Sequence, residues 1–221
     1  TKALYWGQTG AEVSRFRFTS TNEAFFLEKL TLGASAAQEK LDMAENVKNL
    51  SVTYTNKAGT TLTQSQMLTS GASANFGFSG DNKPYIPKDS SLDIIVKADL
   101  KTKAEGATTS SGTTNQLFST DYQDTYSNSQ TDGFRAVGEG SGTVLDGSSA
   151  GVGKEVAGNN HYVYRVFPKF SVISLSPGEP LGTKDVLKFT VEAMGLSDSK
   201  LYFDNLDTGS GSIKFEAVAS G

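Results

Sequence analysis

Alternation of apolar and polar residues with a period of two constrains this chain of 221 residues more than any other feature. Leu50, Val52 and Tyr54 alternate with Ser51, Thr53 and Thr55. Leu92, Ile94, Val96, Ala98 and Leu100 form the longest such stripe, set against Asp93, Lys97, Asp99 and Lys101, with Ile95 the exception. Leu187, Phe189 and Val191 repeat the pattern, as do Ile213, Phe215 and Ala217. A strand of this kind buries one face and wets the other, the habit of antiparallel sandwiches rather than of parallel α/β sheets. The chain therefore reads as all-β, an antiparallel β-sandwich with long polar loops, plus a partial second sandwich. "TNKAGT" (55–60) reads as a hairpin turn. One stretch, "SAAQEKLDMAEN" (35–46), is rich in helix formers and predicts a short connecting helix with Ala37, Leu41 and Ala44 on one face.

The opening of the chain has an echo near its end. "EVSRFRFTSTNEAFFLEKLTL" (12–32) lines up with "DVLKFTVEAMGLSDSKLYFDNLDT" (185–208), so that Val13, Arg15, Phe16 and Phe18 fall on Val186, Lys188, Phe189 and Val191. "SPGEPLGT" (176–183) just before the echo carries two prolines and two glycines and reads as a boundary or a sharp turn. Pro168 is expected to split "HYVYRVFPKFSVISL" (161–175) into two strands, because it cannot donate to a ladder. Two units follow: residues 1–167 as a β-sandwich with long loops over 101–160, and 168–221 as a second, incomplete unit. The late strands complete the first domain, open a second one in a tandem chain, or are completed by a neighbouring subunit. "TKALYW" (1–6), apolar and outside any hairpin signal, reads as a donor strand for such an exchange. Thr1 reads as the start of a processed chain or of an excised segment.

Composition removes several function classes. The formal net charge of −4 and the absence of basic runs give no electrostatic reason to expect nucleic acid as a partner. Cysteine is absent, which removes thiol catalysis and cysteine-based zinc sites. No apolar run reaches the length that spans a bilayer as a helix. His161 is the sole histidine and reads as an edge-strand residue. "GSSAG" (147–151) matches a nucleophile elbow in letters alone, since its flanks are polar, glycine-rich loop. "GVGK" (151–154) lacks the early glycine and the hydroxyl residue of a phosphate-binding loop.

One metal pattern stands out. "NSQTDGFRAVGE" (128–139) copies an EF-hand loop at its fifth, sixth and twelfth positions with Asp132, Gly133 and Glu139. Asn128 and Gln130 hold the first and third positions, and Asp121 and Asp124 lie nearby to supply charge. The candidate ligands for a structural calcium are thus Asp121, Asp124, Asn128, Asp132 and Glu139; no other cofactor is expected. Tyr5, Trp6, Tyr122 and Tyr126 are candidates for stacking on sugars, or for burial in a sandwich.

The order "TGAEVSRFRFTSTNE", "NVKNLSVTYTNKAGTTL", "YIPKDSSLDIIVKADL" and "PGEPLGTKDVLKFTVEA" resembles the repeat of large secreted cell-surface proteins of candidate-phylum bacteria. There, Ig-like β-sandwich units open with a G-T-x-x-V-x-R-F-x-x-T strand and close with I-P-A-G-(S/T)-x-x-x-L-x-V-x-A-D, represented here by Ile86 to Asp99. The resemblance covers residues 9–100 and, as a second opening, 168–221. This chain departs from it in having Pro87, Lys88 and Asp89 where the family often has Ala-Gly. It implies an extracellular, non-enzymatic structural role as surface layer, stalk or filament, with self-association into a homopolymer. The alternative expectation is a carbohydrate-binding or adhesion module that meets a glycan or host surface.

Overall fold

The computed structural model describes residues 2–34, 37–68, 72–107, 115–119, 121–123, 133–146, 149, 155–156, 158, 160–176 and 186–195. In chain order the elements are β1 (Lys2–Tyr5), β2 (Ala11–Thr19), β3 (Phe25–Gly33), α1 (Ala37–Asn46), β4 (Val47–Thr55) and β5 (Thr61–Met67). There follow β6 (Ser73–Gly77), β7 (Tyr85–Ile86), β8 (Ser91–Leu100), β9 (Asn115–Ser119), β10 (Asp121–Gln123) and β11 (Phe134–Gly138). The last are β12 (Val144–Asp146), β13 (Glu155–Val156), β14 (Asn160–Tyr164), β15 (Val166–Ser176) and β16 (Val186–Gly195).

The protein is an all-β, predominantly antiparallel sandwich. One sheet runs β2-β8-β4-β5, and its stripes are those the sequence announces. Leu50 and Val52 of β4 are fully buried, as are Ile94, Val96 and Ala98 of β8. The facing sheet is organised on β3, which carries β11 and β10 along one edge and β6 and β7 along the other. A single apolar core joins Leu27, Leu30, Leu32 and Phe76 of this sheet to the stripes of the first. Two ring pairs cross the layer: Phe18 stacks on Phe134 at 5.8 Å, and Tyr54 meets Phe78 edge-on at 5.1 Å. Each large apolar side chain buried this way contributes about 1.5–3 kcal/mol.

A third sheet, β1-β14-β9, closes the side of the sandwich. Here two expectations are overturned. The segment 1–6 is not a free donor in this structure, because β1 lies parallel to β14 with Lys2 opposite His161 and Tyr5 opposite Tyr164. Leu4 and Trp6 are buried, so the apolar character that suggested a donor strand serves the chain's own core. His161 is not an edge residue either, since β14 is flanked by β1 and β9. It is 1% exposed, and its Nε2 donates to the Val13 carbonyl over 2.6 Å. A bulge between Glu12 and Ser14 accounts for this bond. The extra residue drops out of the ladder, and its buried carbonyl needs another donor.

The connecting helix forms, and of the face named from the sequence Ala44 packs against the core. Leu41 is 58% exposed, while Asp42, Met43 and Asn46 are buried. Buried Asn46 is tolerated because its Nδ2 donates to the Asp42 backbone carbonyl at 2.9 Å and its Oδ1 accepts from Trp6 Nε1.

Part of the expected long-loop region is also strand. "FRAVG" forms β11 and pairs with β3 across Phe134, Ala136 and Gly138. Its inward residues include an alanine and a glycine, so the alternation carries little hydrophobic contrast. Pro168 does not split the following run; the break falls at Arg165, and β15 continues through the proline. Among the described residues β15 pairs only with β16, and a strand paired on one side leaves room for a residue without an N–H. The boundary segment 177–185, and the strands expected around Leu201, Phe203, Ile213 and Phe215, lie outside the described residues.

Candidate functional site

The hairpin turn after β4 forms as expected. Gly59 N–H donates to the Asn56 carbonyl at 3.0 Å, and Gly59 adopts φ 80°, which favours glycine. Asn56 holds the turn from within: its Oδ1 accepts from Thr60 N–H at 2.8 Å, and its Nδ2 donates to the Asp81 carbonyl at 3.1 Å. Tyr54 adds a bond from its hydroxyl to the Asn82 carbonyl at 2.9 Å. These straps bring Lys57, at the tip of the hairpin, over the segment that leads into β7.

The other wall comes from β3. Arg135 pairs opposite Lys29 and Ala136 opposite Leu27, so Glu28 is the extra residue of a bulge. Both Leu27 and Leu30 are thereby kept inward, and the Glu28 side chain is turned along the surface. It accepts from Lys83 Nζ at 2.7 Å and from Arg135 Nε at 2.9 Å. The Lys83 bond draws the carboxyl below the ordinary glutamate range, against partial burial, and Arg135 adds to it.

Glu139 stands at the far end of β11. One carboxylate oxygen receives Lys57 Nζ, and the other receives the Tyr85 hydroxyl at 2.9 Å. Lys57 first and Tyr85 second lower its pKa, and the phenol is raised in return. The rings of Phe26 and Tyr85 lie 5.2 Å apart at 50°. Lys57 Nζ sits 5.9 Å from the Phe26 centroid, and Lys83 Nζ sits 6.0 Å from it. Glu23 fixes the adjoining turn by accepting from Gly140 N–H at 2.7 Å and from the Ser141 hydroxyl at 2.7 Å.

Three shallow clefts meet around these residues. A cleft of about 440 Å³ lies between Lys57, Phe26 and Lys83. It shares Lys57 with a cleft of about 700 Å³ that reaches Arg17 and Asp93. It shares Gly80 and Lys83 with a third, of about 550 Å³, beside Glu28 and Arg135. Both Glu28 and Glu139 are held ionised by their cationic partners, so each presents a carboxylate beside an ammonium or guanidinium to whatever enters the clefts.

The sequence candidates distribute differently. Among the proposed calcium ligands, Glu139 is held by Lys57 and Tyr85, and Asp121 lies in β10 opposite Gly33. Asp124, Asn128 and Asp132 lie outside the described residues. Among the described residues no group of three or more His, Asp or Glu side chains is placed to hold a metal ion. Trp6, a candidate for sugar stacking, is buried at 3% exposure, and Tyr126 lies outside the described residues. Sequence reasoning missed Phe26, Glu28, Lys83 and Arg135. Lys57, in a turn already recognised, and Glu139, singled out as a calcium candidate, carried a signal. Comparison with family models, with curated proteins and with solved structures finds no match to this chain.

Proposed function

We propose that this chain is a non-enzymatic structural subunit that self-associates into an extracellular assembly, a surface layer or filament, through β-sandwich units. The observation that carries the reading is the position of β16, the strand formed by the second copy of the opening motif. It pairs along its length with β15, from Val166 opposite Gly195 to Ser176 opposite Val186. Among the described residues, neither strand pairs with the sandwich. Among the described residues the second copy thus lies in a sheet with β15 alone.

A two-stranded ribbon is marginal in water unless another layer covers it. Phe170, opposite Val191 on this ribbon, is 51% exposed. Strands of a second unit, contributed by more of the same chain or by a neighbouring copy through strand exchange, fit that requirement.

Sedimentation velocity across a wide concentration range tests the proposal. The expected result is a concentration-dependent series of oligomers that Phe170→Asp shifts toward monomer without changing the far-ultraviolet circular dichroism. A species that stays monomeric at the highest concentration would overturn it.

A further inference from the structure

We propose that the groove running past Lys57, Phe26 and Lys83 binds an uncharged saccharide chain, independently of any role in assembly. Shape comes first. Three clefts join end to end through shared residues and remain shallow, which suits an extended chain lying along the surface better than an enclosed small molecule.

The chemistry of the lining narrows the ligand. Phe26 and Tyr85 supply half-buried rings against which the apolar C–H face of a pyranose can lie. Around them the cations are already matched by carboxylates: Lys57 by Glu139, Lys83 and Arg135 by Glu28, Arg17 by Asp93. A matched pair offers a donor and an acceptor side by side, the complement of adjacent sugar hydroxyls, each of which both donates and accepts. An anionic ligand would have to displace Glu28 or Glu139 from a cation and leave that carboxylate uncompensated.

The geometry is also fixed in advance. The Asn56 and Tyr54 straps hold the hairpin tip, and Glu23 holds the turn next to Glu139. Little ordering remains for a ligand to impose.

The test is a titration of the full chain, followed by calorimetry and by heteronuclear NMR. The probes are cellohexaose, mannohexaose and chitohexaose as neutral oligomers, oligogalacturonate as an anionic one, and an extended Ser/Thr-rich peptide. The expected result is millimolar or tighter binding of at least one neutral oligomer, with amide shifts centred on residues 56–59 and 80–85. Phe26→Ala is expected to weaken it about tenfold. Tyr162→Ala, an exposed ring on β14 away from the groove, is expected to leave it unchanged. Should Phe26→Ala fail to fold, Lys57→Met in the exposed turn provides the same comparison. The proposal is overturned if only the anionic oligomer or the peptide binds. It is equally overturned if no neutral oligomer binds, or if binding survives both substitutions. Since none of these readouts depends on oligomeric state, they leave the assembly reading to stand or fall alone.

Discussion

The indole Nε1 of Trp6 donates to Oδ1 of Asn46 across 3.0 Å, joining residues 40 apart in sequence at the point where β1 leaves the sandwich. Both side chains are buried, and the Lys101 amide donates to the Asn46 carbonyl at 2.7 Å. The first strand is thereby locked onto the end of α1 and the end of β8. Trp6→Ala is expected to cost about 3–5 kcal/mol through the cavity it leaves. Asn46→Ala, which strands a buried indole N–H, is expected to cost about 1–3 kcal/mol. Urea unfolding reads both values. Because Trp6 is the sole tryptophan, its emission should be blue-shifted in the native protein and move red in one step on unfolding. A red-shifted native spectrum would contradict the docking of β1.

His161 gives the protein an acid limb. Burial lowers its pKa, more than its bond to the Val13 carbonyl restores, and the charge of Lys2 on the neighbouring strand adds to the lowering. The unfolded imidazole then takes up a proton that the folded one refuses. Stability contributed by the neutral ring is complete above about pH 6.5 and falls as pH drops toward the folded pKa, at up to about 1.4 kcal/mol per pH unit. Denaturation midpoints measured from pH 8 to pH 4 should show this fall. His161→Gln, which keeps a donor without a titration in this range, should flatten it. An imidazole that titrates by NMR at or above its ordinary value would refute the assignment.

How far the fold was legible depended on contrast between neighbouring residues. The β8 stripe announced itself because Ile94 and Val96 are large and Asp93 and Lys97 are charged. The strand at 134–138 did not, because Ala136 and Gly138 are small and the surrounding turns are polar. Bulges hid the candidate site. At Val13 and at Glu28 one extra residue shifts the phase of the strand, so strict alternation does not run through either strand. Lys83, Arg135 and Glu139 gather around Phe26 and Tyr85 only once β11 and β7 flank β3, and that pairing spans more than a hundred residues for Glu28 and Arg135. No local pattern encodes it. The helix was found from composition, but nothing in its pattern of residues shows that polar Asp42 and Asn46 are buried while Leu41 is exposed.

Two glycines on adjoining strands should respond oppositely to alanine. A Cβ on Gly33 would stand 2.7 Å from the Ala72 carbonyl oxygen and 3.1 Å from Ser73 Cα, both backbone atoms. Neither can yield without moving β6 away from β3. Gly33→Ala is therefore expected to destabilise by about 1–3 kcal/mol. A Cβ on Gly77, at the other end of the same strand pair, meets nothing within 4 Å. Gly77→Ala should be neutral or stabilise by up to about 1 kcal/mol, by restricting the unfolded chain. Thermal melts of the two variants distinguish them, and equal losses would show that β6 does not pack on β3 as described.

Glu139 offers a direct test of the calcium expectation for residues 121–139. In an EF-hand loop the twelfth residue gives both carboxylate oxygens to the ion. Here one oxygen is taken by the Lys57 ammonium and the other by the Tyr85 hydroxyl, and those bonds hold the carboxyl below its ordinary range. A calcium ion recruiting Glu139 must first expel an ammonium and break the bond that braces the hairpin tip against β11. The expected outcome is that millimolar calcium and a chelator give the same melting curve. A saturated site is easily seen by this measure, since a ligand at a hundredfold excess over its Kd raises stability by about 2.7 kcal/mol. Glu139→Gln should lower the melting temperature slightly and equally in both buffers. It should also return the Tyr85 phenol, now raised by Glu139, toward its ordinary pKa in a spectrophotometric titration. A calcium-dependent rise in melting temperature that disappears in Glu139→Gln would reverse this conclusion and give the carboxylate to the loop.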